Sequence, residues 1–371
     1  MPALSRYIRT NTPYEIALIA TARATSNRRG GLRASAIRTT NLVTGRRMLR
    51  KNITLALLVI MSASCGADTD VTVLRVLHPH DGTHPVHHAL VFMDERLQEL
   101  SGGSMRVDIY TSAQLGSERE SVELLQLGSL AMTKISTSIL DGFAPSFRVF
   151  GLPFLFRDDA HRLAVMEGPI GRELLTSLTP FRLRGLTYYD AGARSFYLAS
   201  KEVNTPADLA GLKIRTQESA MAIRMVSALG GSPTPMAFGE VYTAMQQGVV
   251  DGAENNPPSF YLTRHYEVSD YYVLDEHTAV PDILLISLPV WERLTPQQQA
   301  WVQRAADESA EYQKELWREA TEEALREVQA AGVQIIRPDK APFRAAVEPL
   351  LASFRDDPTT AALIRAIEEV E

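Results

Sequence analysis

The sequence predicts an α/β protein with two lobes joined by one long helix. Apolar and polar residues alternate in several short segments, as in half-buried strands, and amphipathic helical patterns lie between those segments. A helical pattern from Thr295 to Ala331 would be about 55 Å long at about 1.5 Å per residue. One domain is shorter than that, so we expect this helix to bridge two lobes. The roughly 305 residues after Cys65 suffice for two α/β lobes with separate cores.

Strands and helices alternate along the first half of the chain. Strands are predicted at Val71–Leu77, Met105–Tyr110, Ala131–Ile135 and Leu212–Arg215, and helices at Leu90–Leu100, Ser121–Leu127, Glu218–Leu229 and Phe238–Gln247. Thr205 followed by Pro206 indicates a further helix start, because Thr caps a helix and Pro fits its first turn. The long helix begins with the capping-box sequence Thr-Pro-Gln-Gln, and Gly332 follows its last residue.

The N-terminal region has the composition of an export signal preceded by extra sequence. Residues 1–47 hold nine Arg and one acidic residue, without apolar periodicity. Met48 opens a segment of two basic residues, an apolar run, small residues and Cys65. We expect 1–47 to be a non-native extension and 48–65 to be a lipoprotein-type signal peptide with lipidation at Cys65. A disordered basic tail and ordinary secretion are the alternatives, because Ser62 stands where a lipidation signal usually has Leu.

Cysteine content and charge exclude several function classes. Cys65 is the only cysteine, so the exported chain has no disulfide and no thiol nucleophile. The chain has 38 Lys and Arg, of which 11 lie in residues 1–65, and 44 Asp and Glu, of which one lies there. The remaining 27 basic and 43 acidic residues give residues 66–371 a formal charge of about −16. So acidic a surface argues against nucleic acid and anionic lipid as partners. An anionic ligand would need positive charge from a few arginines.

The segment Gly211–Pro257 concentrates groups that bind organic acids. It places Arg215 at a strand end, Phe238 after a proline-rich turn, and Asn255 after a helix that ends in glycine. Arginine can hold a carboxylate through two parallel N–H bonds, asparagine offers a donor and an acceptor, and an aromatic ring can cover a sugar face. No nucleophile–base pair accompanies them, so the pattern indicates binding without chemical conversion.

Three motifs resemble a known family. GLKIR with PTPMAFGEVYTAMQQGVVDGAEN, then SGGSMRVDIYTSAQLGSERESVELLQLGSLAMT and GLPFLF, are similar to signatures of the DctP-like solute-binding subunits of tripartite ATP-independent periplasmic (TRAP) transporters. The likeness extends over roughly Val71 to Ile335. It implies a two-lobed periplasmic binding protein fold with a long inter-lobe hinge helix. We expect lobe I to comprise residues 71–192 plus 281–315, and lobe II residues 193–280 plus 316–371.

The resemblance also implies ligand-binding residues in the second lobe. Arg215 in GLKIR corresponds to the arginine that binds the ligand carboxylate, and Arg194 in GARSFY corresponds to a second arginine near it. Asn255 matches the asparagine that would hydrogen-bond the same carboxylate, and Phe238 matches an aromatic ligand contact.

The first lobe is expected to contribute selectivity. Glu118 stands where related proteins place an acidic residue facing the ligand hydroxyls, Ser136 follows a strand, and His80 follows the first strand. Open α/β sheets bind ligands at such strand ends. Ser136 replaces the acidic residue of the sialic-acid-binding branch, which argues against sialic acid. Asp190 and His277 also follow strand-like runs and are further candidates for the cleft.

A histidine cluster raises the question of a metal site. His84, His87 and His88 would share one helix face if a helix began there, a spacing that can bind zinc. No carboxylate or cysteine completes a spaced motif, so we interpret these residues as site-lining and surface histidines. We expect no metal and no cofactor.

The resemblance therefore predicts an extracytoplasmic binding protein for a carboxylate sugar acid. The motifs GARSFY, GAENNPPSF and DEHT look most like those of members that bind hexuronates such as glucuronate or galacturonate. The implied partners are the sugar acid and the small and large TRAP membrane subunits, with a monomeric chain that meets the membrane only through a lipid anchor. The alternatives are a uronate lyase or hydrolase that uses Glu118, Glu254 and a histidine, and an ABC-type binding lipoprotein.

Overall fold

Two mixed β-sheets organise the part of the chain that the computed structural model describes, residues 71–371. The predicted extension 1–47, the predicted signal peptide 48–65 and its Cys65 lie outside the described residues. In chain order the strands are β1 Thr72–Leu77, β2 Met105–Tyr110, β3 Met132–Ser136, β4 Leu183–Tyr189, β5 Arg194–Leu198, β6 Lys213–Thr216, β7 Ser232–Pro235, β8 Gly252–Asn255, β9 Tyr271–Thr278, β10 Asp282–Ser287 and β11 Gln334–Ile336.

The first sheet has the strand order β2-β1-β3-β10-β4, and the second sheet has the order β11-β9-β5-β8-β6-β7. In the first sheet β1 runs parallel to β2 and β3, whereas β10 runs antiparallel to β3 and β4. In the second sheet β6 runs parallel to β7 and β8, and β5 runs antiparallel to β8 and β9. Each sheet therefore gathers strands from distant parts of the chain, and the chain crosses between the sheets more than once.

Helices pack around both sheets. They are α1 Pro85–Ser101, α2 Glu118–Leu127, α3 Asp159–Glu167, α4 Pro169–Thr176, α5 Ala220–Ala228, α6 Val241–Gln246, α7 Pro257–Leu262, α8 Leu288–Trp291, α9 Pro296–Ala330, α10 Lys340–Arg355 and α11 Pro358–Glu368. None of the helices in residues 71–371 is both long and apolar enough to span a bilayer. An apolar cluster runs through both sheets, with Ile135 and Ile283 from the first and Phe196 and Ile214 from the second.

The long helix α9 begins and ends as its sequence predicts. Thr295 caps it, with both hydrogen bonds of the capping box to Gln298. Its first half packs on the core of the first sheet through residues such as Val302, and its second half packs on the core of the second sheet through Val328. At about 1.5 Å per residue, its 35 residues span about 50 Å. The predicted α/β class and the bridging helix are confirmed.

The chain crosses from the first sheet to the second beside the middle of α9. Gly192 lies between β4 and β5 with φ +57°, and a Cβ atom on it would lie 3.0 Å from Nε1 of Trp317 on α9. Glycine is therefore required there both by the left-handed backbone and by the close approach of the indole.

Element boundaries differ from the sequence prediction at a few positions. Helix α1 begins at Pro85 rather than Leu90, because His84 caps it by accepting a hydrogen bond from the backbone N–H of Val86. The turn at Thr205 is a 3₁₀ helix, Pro206–Leu209, with a capping box to Asp208. The predicted helix Phe238–Gln247 is a 3₁₀ turn followed by α6.

Candidate functional site

A pocket lies where strand ends of the two sheets face each other. The space not filled by protein atoms measures about 350 Å³, including the part open to solvent. Its lining comes from both sheets and consists of Pro79, His80, Glu118, Lys134, Ser136, Arg194, Arg215, Gln217, Phe238, Asn255, Asn256, Ser259 and Asp282. All seven principal residues predicted from the sequence are in this lining.

Arg215 on β6 is a buried guanidinium without a counter-ion. Only 2% of its surface is exposed, and Nε and Nη2 both donate to the backbone oxygen of Met236, at 3.1 and 2.8 Å. Its Nη1 atom is buried and has no hydrogen-bond partner within the described residues, where no carboxylate lies within ion-pair distance of the guanidinium. Burial lowers the pKa of Arg215. An arginine side chain nonetheless stays charged, so this group can bind an anion.

Arg194 on β5 is held by its own acidic partner. Nη2 donates to Oε1 of Glu254 at 2.9 Å, and Nη1 donates to Oδ1 of Asn255 at 2.8 Å. Burial alone would raise the pKa of Glu254, but Arg194 and His277 outweigh burial and lower it to about 2. Glu254 is therefore a carboxylate at neutral pH and neutralises Arg194, whereas Arg215 has no such partner in the described part of the chain.

Asn255 and Phe238 lie beside Arg215. The Oδ1 atom of Asn255 accepts from Arg194 and from the backbone N–H of Asn256. Asn255 lines the pocket, and its Nδ2 group can still donate hydrogen bonds. The guanidinium carbon of Arg215 lies 5.9 Å from the centre of the Phe238 ring. The centres of the Phe238 and His80 rings are 5.6 Å apart, and the two rings meet edge-on at 70°.

The first sheet supplies a wall that includes residues missed by the sequence interpretation. Glu118 accepts a hydrogen bond from the backbone N–H of Ser136 at 2.9 Å. Lys134, on the same strand, is 1% exposed and lies 2.5 Å from Asp282 and 2.9 Å from Nε2 of His80. Burial raises the pKa of Glu118 and of Asp282, and Lys134 opposes the effect in both. The sequence did carry a signal for Lys134, because a lysine within a strand of otherwise buried residues indicates a charged group with a partner inside the protein.

Asp190 and His277 do not line this pocket. The Oδ1 atom of Asp190 accepts from Arg162 at 2.7 Å and from the backbone N–H of Gly192 at 2.9 Å, and its main chain bonds to Gln313 on α9. Asp190 therefore joins the crossover between the sheets to the long helix.

His277 is fully buried behind the pocket. Its Nδ1 atom lies 2.8 Å from Asp275, and its Nε2 atom lies 3.6 Å from Oε2 of Glu254. Burial lowers its pKa, but the two carboxylates outweigh burial and raise the pKa to about 9. A charged His277 thus stabilises the Glu254 carboxylate, which in turn holds Arg194. His277 therefore helps to position Arg194, which lines the pocket.

The histidine cluster near β1 shows no metal geometry. Within residues 71–371, no group of three or more His, Cys, Asp or Glu side chains could hold a metal ion. His80 and His84 stack with ring centres 3.7 Å apart, and His78 bonds to His87 at 3.2 Å. Burial and Lys134 lower the pKa of His78 to about 3, so that imidazole is neutral at physiological pH.

Two sheets tied by one long helix, with a small polar pocket between their strand ends, define a two-lobed solute-binding protein. The chain belongs to the bacterial extracellular solute-binding protein family 7 (DctP), whose profile matches residues 78–357. The predicted resemblance to TRAP solute-binding subunits is confirmed by this family match and by the solved TRAP proteins to which the chain is similar. This family consists of solute-binding proteins, so the chain is a binding protein, and the alternative of a lyase or hydrolase is wrong.

Several relatives are similar over most of their length. The TRAP periplasmic solute binding protein of Xanthobacter autotrophicus Py2, solved with bound β-D-galacturonate, is 39% identical, with 80% of this chain and 100% of that chain covered and a TM-score of 0.78. That of Anaerococcus prevotii, solved with bound α/β D-glucuronate, is 36% identical, with 81% and 98% covered and a TM-score of 0.79. YiiZ of Salmonella typhimurium is 38% identical over 318 residues, 85% of this chain and 97% of YiiZ.

Proposed function

We propose that this protein binds a hexuronate, such as glucuronate or galacturonate, with the ligand carboxylate on Arg215. The observation that carries the proposal is the unpartnered Nη1 atom of this buried guanidinium. A buried charge without a counter-ion is costly, and a bound carboxylate would remove that cost. Asn255 would donate to the same carboxylate through its Nδ2 group, and the Phe238 ring would cover the sugar.

The remaining lining supports a sugar acid over a simple fatty or aromatic acid. Opposite Arg215, the pocket presents Glu118, Ser136 and His80, which are polar groups suited to hydroxyls. The galacturonate-bound relative from Xanthobacter autotrophicus and the glucuronate-bound relative from Anaerococcus prevotii match this chain at 39% and 36% identity over nearly their whole length. Their ligands and the polarity of the pocket favour the same class of ligand here.

Delivery would follow the arrangement of TRAP transporters. Closure of the two lobes about α9 would exclude water from the ion pair at Arg215 and strengthen it as the local dielectric falls. The partners would be the small and large TRAP membrane subunits, which receive the ligand from a monomeric binding protein. The family is extracytoplasmic. We further propose that lipidation of Cys65 anchors this chain to the membrane outside the cytoplasm.

Arg215→Lys and Arg215→Ala test the binding mode. Lysine keeps the charge but loses the two-pronged geometry, so both variants should weaken glucuronate and galacturonate binding, alanine more than lysine. Loss of a buried charged hydrogen-bond pair costs about 2–5 kcal/mol, which is about 30-fold or more in Kd. The measurement is isothermal titration calorimetry, with Arg318→Lys on the exposed face of α9 as the matched control.

Two results would contradict the proposal. Arg215→Ala with a Kd within about threefold of the wild-type value would remove Arg215 as the anchor. A thermal-shift panel of uronates, aldonates, dicarboxylates and sialic acid identifies the ligand class independently, because a ligand at about 100 times its Kd stabilises the folded state by about 2.7 kcal/mol. No shift with any uronate would refute the hexuronate assignment.

A further inference from the structure

The wall opposite Arg215 combines one ammonium with two carboxylates. Lys134 and Ser136 lie on β3, and Asp282 at the start of β10 pairs with Ser136 in antiparallel register. Glu118, the first residue of α2, reaches the backbone of Ser136 from the other side. All of these residues line the pocket, and they derive from segments up to 164 positions apart in the sequence.

The charge of the single ammonium is already matched. Nζ of Lys134 lies 2.5 Å from Oδ2 of Asp282, and its contact with Nε2 of His80 occupies a further N–H direction. Glu118 has no basic side chain within ion-pair distance among residues 71–371, and its one hydrogen bond is to a backbone N–H. The wall therefore has an excess of negative charge, whereas Arg215 on the second sheet forms no ion pair with any residue from 71 to 371.

The unpartnered polar atoms of the wall are small and uncharged. The hydroxyl of Ser136 and the Nδ1 atom of His80 are buried, with residue exposures of 5% and 7%, and neither has a hydrogen-bond partner in the described part of the chain. A hydroxyl group and a neutral imidazole pair well with the hydroxyl or ring oxygens of a sugar. They cannot compensate a second full negative charge.

We propose that the Lys134–Asp282 pair and Glu118 form a charge filter, which admits acids with one carboxylate and rejects acids with a carboxylate at each end. The inference rests on the proposed function, because the first carboxylate must occupy Arg215. A second carboxylate at the far end of the ligand would meet Glu118, and the ammonium that could bind it is held by Asp282. Asp282 is thus a specificity-determining residue, through its hold on Lys134.

Two acyclic sugar acids isolate the charge from the shape of the ligand. D-Gluconate and D-glucarate share the carbon chain and the hydroxyls at C2 to C5, and they differ only at C6, which is a hydroxymethyl group in one and a carboxylate in the other. Wild-type protein should bind glucarate at least about 100-fold more weakly than glucuronate and gluconate, since like charges placed together in a site discriminate strongly. Equal affinities for gluconate and glucarate would overturn the filter.

Asp282→Asn should narrow the preference, because it releases Lys134 to pair with a second carboxylate. Calorimetry should then show a glucarate affinity at least tenfold above that of the wild type, together with a weaker affinity for glucuronate. Glu118→Gln provides a second variant that leaves the Lys134 pair in place and should also raise glucarate affinity. Glu123→Gln, an exposed position on the same helix as Glu118, is the matched control and should change neither affinity.

The outcomes separate this inference from the proposed function. Tight glucuronate binding with no gain of glucarate binding in either variant would refute the filter and leave the hexuronate assignment intact. A wild-type protein that binds neither glucuronate nor galacturonate would refute both. Thermal unfolding of each variant checks that it is folded. If Asp282→Asn does not fold, the glucarate affinity of Glu118→Gln and the gluconate and glucarate affinities of the wild type test the filter.

Discussion

His277 should make the stability of this protein fall between neutral and mildly alkaline pH. The imidazole is fully buried between Asp275 and Glu254, which are themselves buried. Burial alone would lower the pKa of His277, but the charges of Asp275 and Glu254 outweigh burial and raise the pKa from 6.5 to about 9. The folded protein therefore holds this proton more tightly than the unfolded chain does, so the proton contributes to the free energy of unfolding.

The sign and size of the effect follow from that difference. A group whose pKa is raised on folding contributes stability that is fully present below its unfolded pKa and is lost as the pH rises through its folded pKa. The window is thus from about pH 6.5 to about pH 9. At about 1.4 kcal/mol per pH unit, a difference of about 2.5 pH units corresponds to about 3 kcal/mol of unfolding free energy.

Urea unfolding at pH 7, 8 and 9.5 measures this loss directly. Wild-type protein should lose about 2–3 kcal/mol across that range. His277→Gln should show a much smaller loss, because it removes the titrating group. The lowered pKa values of His78 and His265, about 3 in each case, leave those two histidines neutral over the whole range. Equal pH dependence in the wild type and in His277→Gln would refute the reasoning, and Asp275→Asn, which should lower the pKa of His277, provides an independent check.

Three further predictions concern other parts of the chain. Asp141 accepts hydrogen bonds from the start of α5 and from an arginine, so Asp141→Asn should cost about 1–3 kcal/mol of unfolding free energy in urea; an unchanged midpoint would contradict this. Gly192→Ala should lower the free energy of unfolding by at least about 1–2 kcal/mol, because alanine is strained at a positive φ and its Cβ atom would crowd Trp317. Gly239→Ala should not lower it, because a Cβ atom there has no neighbour within 4 Å. Cys65→Ala should release the protein from membranes without a change in Kd, and an unlipidated Cys65 in native material by mass spectrometry would refute the anchor.

The fold was predictable where local chemistry determines it. The capping box at Thr295 and the glycine after the long helix fix both ends of α9, because each satisfies backbone groups within a few residues. The start of α1 was not predictable in this way, since a histidine cap at His84 is an uncommon solution. The order of strands in each sheet depends on long-range pairing, such as β10 between β3 and β4, and no short-range pattern reports it.

The site was predictable only for residues within recognisable motifs. Arg215 and Asn255 lie in motifs whose family resemblance identifies them, and the structure brings both to one pocket. The pair between Lys134 and Asp282 joins positions 148 residues apart, and no local pattern shows that Asp282 is the partner of Lys134. His277 follows a strand pattern as a lining residue would, but its side chain turns toward Asp275 and Glu254 inside the second lobe rather than toward the pocket.

A crystal structure of the protein with galacturonate or glucuronate tests the central claim most directly. The account predicts one ligand per chain between the two sheets, with a carboxylate oxygen within about 3 Å of Nη1 of Arg215 and of Nδ2 of Asn255. The hydroxyls at the other end of the sugar should face Glu118 and Ser136. A ligand whose carboxylate pairs with Lys134 instead, or a ligand bound outside this pocket, would contradict the account.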